Sequence, residues 1–483
     1  MAVDLDAQDP LERARTIAAA VRTAGGRAFI VGGWVRDRLL GLASKDVDLE
    51  VFGLPAERLH AVLEQLGRVA TVGESFQVFK IAEIDVSVPR RESKSGRGHR
   101  GFTVTGDPTM TVAEAARRRD FTINAISWDP LGAEQELLDP FEGRRDLDNR
   151  LLRMVDPATF ADDSLRVLRA LQFCARFRLT LDPATAALCR DVPLDDLPAE
   201  RVWGEFEKLL SAERPSIGFA LARELGIVER LLPELHALIG CPQEPEWHPE
   251  GDVWVHTLQV IDQARQRVGD LPRPQSLAIM LGAVCHDFGK PATTAFIEGR
   301  IRSIGHEEQG VAPASAFLDR LKVHTIEGYD VRSQVLGMVA QHLKPGMWFK
   351  SPEAVGDGAF RRLAQKVDLE LLARLATADC LGREPGRFTP DAMEWFLARA
   401  RALGVERRPP DPVLKGRHLV ELGISPGPRM GQILKAVYER QLDGAVGTLD
   451  EALAAAQAII ANQAASREGS PGPGSAPDST SGG

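Results

Sequence analysis

Two aspartates one residue apart follow a double-glycine turn by little more than the length of one helix, and this pattern constrains the fold most strongly. The turn is GGWVRD at residues 32–37, and the acids lie within KDVDLEV at residues 45–51. Side chains at i and i+2 of a strand share a face, so a strand over 45–51 presents Asp46 and Asp48 together while its valines and leucine face a core. The sequence therefore predicts an α/β unit with two acids on one strand.

The chemistry of this pattern favours nucleotidyl transfer. Two carboxylates on one face suit Mg²⁺, which can bridge triphosphate oxygens, activate a hydroxyl and stabilise pyrophosphate. Gly32 and Gly33 allow close approach of backbone to phosphate at the start of a helix, where Arg36 adds a fork of donors. Each feature alone also fits a solvated strand face or a simple turn, and the combination carries the hypothesis.

Composition bounds the class of protein. A chain of 483 residues exceeds one core, and roughly three domains are expected. No apolar run approaches the roughly 20 residues of a membrane helix, and the acidic N-terminus lacks the pattern of a secretion signal, so we expect a cytoplasmic protein without a membrane partner. The net charge of −9 disfavours a generic nucleic-acid coat protein, although basic stretches at 90–100 and 117–119 allow a local basic track.

Apolar periodicity divides the chain into an α/β head and a helical remainder. It predicts, in chain order, a helix over 9–24, a strand over 28–31, a helix over 56–66 and strands over 76–81 and 84–88. From residue 157 onward, helix-length patterns nearly replace strands. The Ser-, Pro- and Gly-rich stretch 467–483 predicts a disordered tail.

A further acid and a basic segment extend the predicted site. Asp85 lies on a strand that can pair beside the Asp46 strand and supply a third carboxylate, or it is an edge-strand surface acid. In RRDFTINA at residues 118–125, Arg118 and Arg119 precede a helix-like apolar run and can hold ribose and triphosphate, while Asn124 reads a sugar hydroxyl. By itself this segment also fits the basic end of a helix.

The glycine turn with its two acids resembles the signature of the DNA polymerase β-like nucleotidyltransferase superfamily. Over nearly the whole chain, the motif order resembles the class II tRNA nucleotidyltransferases, the CCA-adding enzymes, whose family includes bacterial poly(A) polymerases. RRDFTINA matches their second motif, DPFEGRRDL at 139–147 the third and DDSLRVLR at 162–169 the fourth. The resemblance implies Mg²⁺-dependent addition of C, C and A to tRNA from CTP and ATP, with nucleotide contacts from Gly32, Gly33, Arg36, Arg118, Arg119, Asn124 and Arg169.

In this family the fourth motif is an amino-acid template for the incoming base. Asp163 and Arg166, at i and i+3 of a predicted helix, accept from an exocyclic amine and donate to ring acceptors, a pattern that fits C and A but not U or G. An ordinary helix-surface ion pair is the plain alternative. The chain departs from the family at Asp162, Ser164 and Gln172, and Gln172 replaces an arginine, which puts one phosphate or backbone contact in doubt.

Histidines and aspartates in the second half resemble the HD phosphohydrolase superfamily. VHTLQV at 255–260 and LGAVCHDFGK at 281–290 carry a His and a His-Asp pair at helical positions, and further ligands follow downstream. A single histidine in a helix is more often a structural residue than a metal ligand. The four histidines and two aspartates together suit one or two divalent ions, either a transition metal or Mg²⁺. The implied ligands are His256, His286, Asp287, His306, His342 and Asp379.

These patterns predict an α+β protein: a mixed-sheet, polymerase β-like head followed by an all-α neck, body, HD domain and tail. The segment 90–111 resembles the flexible loop of A-completing enzymes, with an ordinary surface loop as alternative. Lys415, Arg417 and Arg429 beside Gly-rich turns can grip tRNA phosphates, or cap a helical hairpin. The predicted divisions are 1–25 N-terminal helix, 26–155 head, 156–250 neck and body, 251–385 HD domain, 386–465 tRNA-binding region and 466–483 disordered tail.

Four rival functions remain open at this stage. The first two are a poly(A) polymerase and an enzyme that adds only A to tRNA. The third is a phosphohydrolase with a degenerate transferase head, and the fourth is a noncatalytic RNA-binding module. The HD segment disfavours the first, and Gln172 keeps the second open. The intact Asp46 and Asp48 speak against the third. The oligomeric state is not predictable from the sequence.

Overall fold

The computed structural model describes residues 5–44, 46–72, 78–94, 102–132, 136–383 and 387–468. These form two compact units, residues 1–240 with 316–323 and residues 241–315 with 324–483. The first contains a mixed sheet with helices and the second is mainly helical, so the predicted α+β class is confirmed. The six predicted divisions of the chain stay predictions.

The elements up to residue 240 alternate between strands and helices before the strands end. They are α1 (Pro10–Thr23), β1 (Arg27–Val31), α2 (Gly33–Leu39), β2 (Asp48–Phe52), α3 (Ala56–Glu64), β3 (Val69–Val72), β4 (Val78–Ile81), β5 (Ile84–Ser87), β6 (Arg90–Lys94), β7 (Phe102–Gly106), α4 (Val112–Arg117), a 3-10 turn (Thr122–Asn124), β8 (Ser127–Trp128), β9 (Leu137–Leu138), α5 (Gly143–Asp148), β10 (Leu151–Leu152), α6 (Pro157–Phe160), α7 (Leu165–Phe177), β11 (Thr180–Leu181), α8 (Pro183–Asp191), α9 (Ala199–Leu210), α10 (Ser216–Glu224), α11 (Ile227–Leu231) and α12 (Pro233–His236).

Beyond residue 240, helices dominate. They are α13 (Val253–Arg265), α14 (Arg273–Cys285), α15 (Lys290–Thr293), β12 (Thr294–Ile297), β13 (Arg300–Ser303), α16 (His306–Gln309), α17 (Val311–Arg320), β14 (Thr325–Ile326), β15 (Tyr329–Asp330), α18 (Val331–Gln341), α19 (Lys344–Phe349), a 3-10 turn (Pro352–Ala354), α20 (Asp357–Ala364), α21 (Leu369–Leu381), α22 (Asp391–Ala402), α23 (Gly416–Glu421), α24 (Pro428–Leu442) and α25 (Leu449–Glu468).

The main sheet of the first unit has the strand order β3-β4-β5-β2-β1-β8-β9. β2 and β5 run parallel, and the other neighbours are antiparallel. β1 lies near the centre, where its residues from Ala28 to Val31 are all buried, and the rings of Phe29 and Phe52 pack edge to face at 5.6 Å. The buried apolar residues of β1 therefore belong to the core of the sheet, and the acids Asp48 of β2 and Asp85 of β5 lie at one edge of it.

Three local predictions differ from the structure. Within 90–111, β6 and β7 pair as an antiparallel ribbon, because Phe-Thr-Val-Thr at 102–105 is a β-forming run; residues 95–101 lie outside the described residues. The expected helix-like run after Arg119 is a 3-10 turn followed by β8. Helix α25 continues to Glu468, beyond the expected start of the tail, and the remaining tail residues lie outside the described part.

Helices α13, α14, α18 and α21 pack together in the second unit. The interior helix is α14, whose residues from Leu277 to Cys285 are all buried. Two short hairpins, β12–β13 and β14–β15, interrupt the otherwise helical unit and were not predicted. Near the C-terminus, α23, α24 and α25 enclose a separate apolar cluster that includes Leu419, Ile433 and Val437.

Asp368 provides a stability prediction for this unit. It caps α21 by accepting from the N–H groups of Glu370 (2.9 Å) and Leu371 (3.0 Å), and burial raises the pKa of Asp368 to about 6. Between the ordinary pKa of an aspartate and pH 6, Asp368 is protonated in the folded state but ionised in the unfolded state. The free energy of unfolding therefore falls as the pH rises through that window. Because Asn caps equally well, we expect Asp368→Asn to stabilise the protein by about 2 kcal/mol at pH 7.5.

Urea denaturation at several pH values measures this effect, and the gain should shrink as the pH falls toward 4. The matched control is Asp330→Asn, which changes another N-cap. Hydrogen bonds from Ser333 lower the pKa of Asp330, so this substitution should not stabilise the protein at pH 7.5. Destabilisation by Asp368→Asn at pH 7.5 would contradict the prediction.

Candidate active site and metal centre

Acidic side chains meet at the rim of the main sheet. In the parallel ladder between β2 and β5, Asp48 lies directly opposite Asp85. Burial, together with the nearby charges of Asp85 and Asp46, raises the pKa of Asp48 to about 6, although Arg119 opposes the rise. Closely spaced carboxylates that repel one another are a suitable donor set for a divalent cation.

The position of Asp46 differs from the prediction. Strand β2 begins at Asp48 rather than at residue 45, so Asp46 precedes the strand by two residues, and Lys45 lies outside the described residues. The physical reason is the partner strand: β1 ends at Val31, which pairs with Asp48, and then turns into the glycine motif. Asp46 remains close enough for its charge to raise the pKa of Asp48.

The glycine turn approaches the acids as predicted, and α2 begins at Gly33. Gly32 has φ 74°, and a Cβ at this position would lie 3.2 Å from Nη1 of Arg119 and 3.9 Å from a carboxylate oxygen of Asp48. Glycine is therefore required both by the backbone conformation and by the neighbouring groups. The glycine turn, Arg119 and Asp48 therefore lie next to one another.

Arg36 is buried, and its donors bind protein groups. It donates to Asp37 at 2.6 and 2.8 Å and to Oδ1 of Asn124 at 2.7 Å, while its guanidinium lies 4.4 Å from the ring centre of Phe177. The sequence pattern predicted a donor fork for phosphate. The structure instead ties Arg36 to Asn124, so these two predicted nucleotide contacts are linked to each other.

A buried acid that the sequence analysis missed binds both arginines of the second motif. Glu50 accepts from Arg118 at 2.7 Å and from Arg119 at 3.3 Å, one arginine on each carboxylate oxygen. Arg119 also donates to the backbone carbonyl of Asn124 at 3.3 Å. The sequence did contain one indication that Glu50 lies at the site. Glu50 follows Asp48 by two residues and therefore lies on the same face of β2.

Asp120 is the second missed residue and links the head to α7. One of its oxygens accepts from Asn124 at 3.0 Å, and the other accepts from Nε of Arg169 at 2.6 Å. Burial alone would raise the pKa of Asp120, but the charge and hydrogen bond of Arg169 and the amide of Asn124 lower it below its usual value. The acid is therefore ionised and paired.

Removal of the Asp120 charge should destabilise the first unit. Asp120→Asn leaves Arg169 without its closest counter-charge in a mostly buried environment, and we expect the free energy of unfolding to fall by about 3 kcal/mol. Urea denaturation followed by circular dichroism measures the change. The control is Asp191→Asn at the exposed end of α8, which should shift stability by less than about 0.5 kcal/mol. Equal effects of both substitutions would refute the ion-pair interpretation.

The base-reading pair is arranged differently from the prediction. Helix α7 begins at Leu165, so Asp163 precedes its cap and does not share a helix face with Arg166. Asp163 accepts from both terminal nitrogens of Arg201, at 3.2 and 3.0 Å. Arg166 donates instead to the backbone carbonyls of Thr159 (3.0 Å) and Arg118 (2.7 Å). Arg201, on α9, is the third residue that the sequence analysis missed.

Gln172 occupies a buried position on α7, where its side-chain oxygen accepts from Arg176 at 3.2 Å. Arg176 follows one helical turn later, and burial together with the charge of Arg36 lowers its pKa. At the position where the family pattern has an arginine, this chain therefore has the buried neutral amide of Gln172, and the nearby cation, Arg176, lies closer to the surface. Nothing in the described residues assigns Arg176 to the nucleotide site.

The predicted residues converge on one cavity of about 520 Å³. The cavity is lined by both carboxylates and guanidinium groups, and such groups can hold a metal-bound polyphosphate. Asp46 is not among its lining residues. The predicted residues that line it are Gly32, Gly33, Arg36, Asp48, Asp85, Arg118, Arg119, Asn124, Asp163, Arg166 and Arg169, joined by Glu50, Asp120 and Arg201.

The six predicted HD ligands also converge, within the second unit. Asp287 lies 3.1 Å from Nε2 of His286 and 3.4 Å from Nε2 of His306, and Nε2 of His306 lies 3.2 Å from Nε2 of His342. Nε2 of His256 lies 3.0 Å from Asp379. The helices bring together side chains that are up to 123 residues apart in the chain.

The donor set fits divalent metal. In three of the histidines, Nδ1 lies close to a carbonyl three residues earlier: His286 with Ala283 (2.9 Å), His306 with Ser303 (2.7 Å) and His342 with Val339 (2.8 Å). This pattern leaves Nε2 as the available ligand atom. Nε2 of His286 is buried and makes no hydrogen bond within the described residues, which a metal would satisfy.

Two further residues that could act at the metal site, His248 and Glu250, lie next to His256. Its Nδ1 lies 2.8 Å from Glu250, and the same oxygen lies 2.8 Å from Nδ1 of His248. Burial raises the pKa of Glu250, but the two histidines outweigh it and lower that pKa to about 2. The Glu250 carboxylate therefore orients the His256 ring through its Nδ1 atom, while Nε2 is directed to Asp379. Sequence reasoning missed both residues because they lie in a Pro- and Gly-rich stretch without helical register.

Four of the six predicted HD ligands, Asp287, His306, His342 and Asp379, line a cavity of about 450 Å³, which is large enough for a small phosphoester. Cationic side chains on its wall are Lys290, Lys350 and Arg383. Lys290 is itself buried and lies 2.8 Å from Asp287. The cavity thus combines candidate metal ligands with positively charged side chains.

The three basic residues predicted to grip phosphate lie around α23 and α24. Arg417 donates to His418 at 3.2 Å, and Arg429 donates to Gln463 at 3.1 Å. Lys415 is the cap of α23. None of these contacts distinguishes a tRNA-binding surface from ordinary helix ends.

Comparison with known proteins agrees with this architecture. Residues 28–153 match the Poly A polymerase head domain, residues 178–239 the probable RNA and SrmB-binding site of polymerase A, and residues 253–383 the HD domain. The fold and the sites therefore define a nucleotidyltransferase head joined to an HD domain. No described helix has the length and apolar content that a bilayer crossing requires.

The relatives narrow this class to one family. The Multifunctional CCA protein of Xanthomonas campestris pv. campestris is 36% identical over 427 residues, which cover 84% of this chain and 96% of that protein. The Multifunctional CCA protein of Methylobacillus flagellatus is 38% identical over 369 residues, with 75% and 81% covered. The chain belongs to the family of multifunctional CCA proteins, and it is a transferase.

Solved structures share the fold. The Bacillus stearothermophilus CCA-adding enzyme in complex with CTP superposes with a TM-score of 0.63 at 22% identity, covering 95% of this chain and 100% of that one. The Thermotoga maritima CCA-adding enzyme complexed with tRNA gives a TM-score of 0.54 at 19% identity, with 94% and 96% covered. At these identities the likeness concerns the fold.

Proposed function

We propose that the protein adds C, C and A to tRNA 3′ ends, using CTP and ATP without a nucleic-acid template. The observation that carries this proposal is the 520 Å³ cavity that Asp48 and Asp85 line together with Arg119, Arg166 and Arg169. Metal-ligating acids and base-reading groups meet there, as transfer of a selected nucleotide requires. The names of the family's members support tRNA as acceptor.

Asp46 and Asp48 hold Mg²⁺ in this proposal, and Asp85 supplies a third carboxylate. The bound metal would activate the tRNA 3′-hydroxyl and neutralise charge on the triphosphate. Gly32 and Gly33 admit the phosphates close to backbone, and the guanidinium groups of the cavity counter the remaining charge. Nucleotide contacts are assigned to Gly32, Gly33, Arg36, Arg118, Arg119, Asn124 and Arg169.

Asp163 and Arg166 select the base. The carboxylate accepts from the amine of C or A, and the guanidinium donates to ring acceptors, whereas the oxo groups of U and G meet the carboxylate without a donor. Because Asp163 is bound to Arg201, it must share or exchange that contact when it reads a base. Arg201 therefore holds the carboxylate near the cavity.

Substitution of the selecting acid should relax base choice. With Asp163→Ala, the preference for CTP and ATP over UTP and GTP should fall roughly 10- to 100-fold, because no unpaired carboxylate then penalises an oxo group. Competition assays with mixed nucleotides measure the ratio. Asp195→Ala, an exposed acid ahead of α9, should leave the ratio unchanged. Unchanged selectivity in Asp163→Ala would assign base choice elsewhere.

The second unit carries a metal-dependent phosphohydrolase in this proposal, which acts on tRNA ends or nucleotides. The convergent Nε2 atoms of His286, His306 and His342, with Asp287 and a cationic cavity, support it. The metal is a divalent transition ion or Mg²⁺. Ligands are assigned to His256, His286, Asp287, His306, His342 and Asp379.

The remaining parts of the chain are assigned to tRNA recognition in the cytoplasm. The RNA-binding match at 178–239 supports contact with the acceptor arm, mostly through phosphate and shape. Lys415, Arg417 and Arg429 are proposed contacts with the tRNA elbow. The proposed divisions are 1–25, 26–155 for transfer, 156–250 for base and RNA contacts, 251–385 for hydrolysis, 386–465 for tRNA binding and the tail 466–483.

The test is incorporation of each nucleoside triphosphate, supplied singly, into a tRNA transcript that lacks its 3′ CCA. The full-length protein with MgCl₂ should incorporate CTP into this transcript and ATP into one that already ends in CC. UTP and GTP should remain unincorporated. Absence of incorporation with hydrolysis of phosphoesters intact would favour a phosphohydrolase with an inactive head.

A further inference from the structure

Glu50 is a carboxylate that the proposed transfer chemistry does not use. It is 3% exposed, lies two residues beyond Asp48 on β2, and pairs across the parallel ladder with Ser87 of β5. Burial of an ionised carboxylate beside other acids is costly unless cations balance it. Two guanidinium groups provide that balance, those of Arg118 (2.7 Å) and Arg119 (3.3 Å).

The geometry of this group points toward the cavity rather than the core. Nη2 of each arginine binds Glu50, and both arginines and Glu50 line the 520 Å³ cavity. Nη1 of Arg119 lies over the glycine turn, 3.2 Å from the position of a Cβ at Gly32. A single buried acid therefore binds two cations at the wall of the cavity, and one of them, Arg119, lies next to the turn where polyphosphate oxygens would approach backbone.

We propose that Glu50 is a positioning residue that aims Arg118 and Arg119 at the β- and γ-phosphates of the incoming nucleotide. This inference rests on the proposed function, and it adds the residue that aligns the triphosphate contacts. A flexible arginine loses side-chain entropy when it binds phosphate, and prior alignment by Glu50 lowers that cost at the moment of binding.

Glu50→Gln tests the proposal because it preserves size and removes one acceptor. The amide oxygen retains one arginine, but the amide NH₂ faces the donors of the other and releases it. We expect CTP and ATP to bind about tenfold more weakly, while kcat changes little once the nucleotide is saturating. CMP, which lacks the β- and γ-phosphates, should bind within about twofold of its original affinity.

The experiment is calorimetric titration of the full-length protein with CTP and separately with CMP, in MgCl₂. Glu83→Gln is the matched control, since Glu83 lies in the same unit with a 90% exposed side chain, and it should change neither affinity. Glu50→Asp keeps the charge and should recover part of the CTP affinity. A selective loss for CTP supports the proposal, and an equal loss for CTP and CMP, or none, overturns it.

A second variant covers failure of Glu50→Gln to fold. Arg118→Lys retains the positive charge and removes the fork of donors that binds Glu50, so it should show the same selective loss for CTP. Unchanged CTP affinity in a folded Arg118→Lys protein would overturn the proposal. Failure of the unaltered protein to bind CTP would overturn the proposed function itself, a result distinct from an unselective effect at Glu50.

Discussion

Asp48→Asn is expected to reduce nucleotide addition about a thousandfold while phosphohydrolysis continues. Loss of a metal-ligating carboxylate removes several kcal/mol of charge stabilisation from the transition state, and each 1.36 kcal/mol is a factor of ten in rate. Because burial and the charge of Asp85 raise the pKa of Asp48 to about 6, the ionised acid is unfavourable in the fold. The neutral amide should therefore leave stability unchanged or increase it.

Single-turnover incorporation of labelled CTP measures this effect, and hydrolysis of p-nitrophenyl phosphate by the same preparation tests the second unit. Asp46→Asn should show a loss of the same order, although Asp46 precedes the strand. Glu83→Gln, a change of an exposed acid close to Asp85, is the matched control and should retain full activity. Residual addition above a tenth of the original rate would exclude Asp48 as a metal ligand of the reaction.

Asp287→Asn is expected to have the opposite selectivity. Its two carboxylate oxygens approach His286 and His306, so Asp287 belongs to two overlapping groups of side chains that could hold a metal ion. Removal of this shared charge should lower the metal content of the purified protein and reduce phosphoester hydrolysis at least a hundredfold. Incorporation of CTP and ATP should stay within about twofold, because the transfer site lies in the other unit.

Metal analysis of the protein after dialysis, together with both activity assays, provides the measurement. Glu298→Gln, on the exposed turn between β12 and β13, should preserve hydrolysis and metal content. Because Asp287 also pairs with Lys290 at 2.8 Å, some loss of stability accompanies the change, and retained CTP incorporation shows that the first unit remains folded. Joint loss of both activities in a folded protein would contradict the two-site account.

Several site residues could be predicted because their chemistry is expressed in local spacing. The apolar pattern predicted that Asp85 lies on a strand beside that of Asp48, and the structure places the two acids opposite each other, whereas Asp46 lies outside the strand that the two-residue period predicted. His256 and the His286–Asp287 pair were assigned through the resemblance to HD proteins, and they lie in α13 and at the C-terminal end of the buried helix α14. In these cases local patterns were enough to locate the side chains, and their roles at the two sites stay predictions.

The missed residues act through partners that are far away in the chain. Glu50 is 68 residues from Arg118, and Asp120 is 49 residues from Arg169. The position of Glu50 on β2 indicated which face it shares, but no local pattern indicated which arginines these two acids bind. Asp163 was assigned to a helix because the periodicity of α7 extends back to it. In the structure Ser164 is the cap, and Asp163 turns to Arg201, 38 residues away.

The most direct test of the central claim is the order of nucleotide addition, resolved at single-nucleotide length. Labelled CTP and ATP are supplied, separately and together, to tRNA transcripts that end before the first C, after the second C and after the terminal A. The account predicts C, C and then A, followed by arrest. Addition of A alone to the CC-ended transcript, or a long A tail, would contradict it and identify an A-adding enzyme or a poly(A) polymerase.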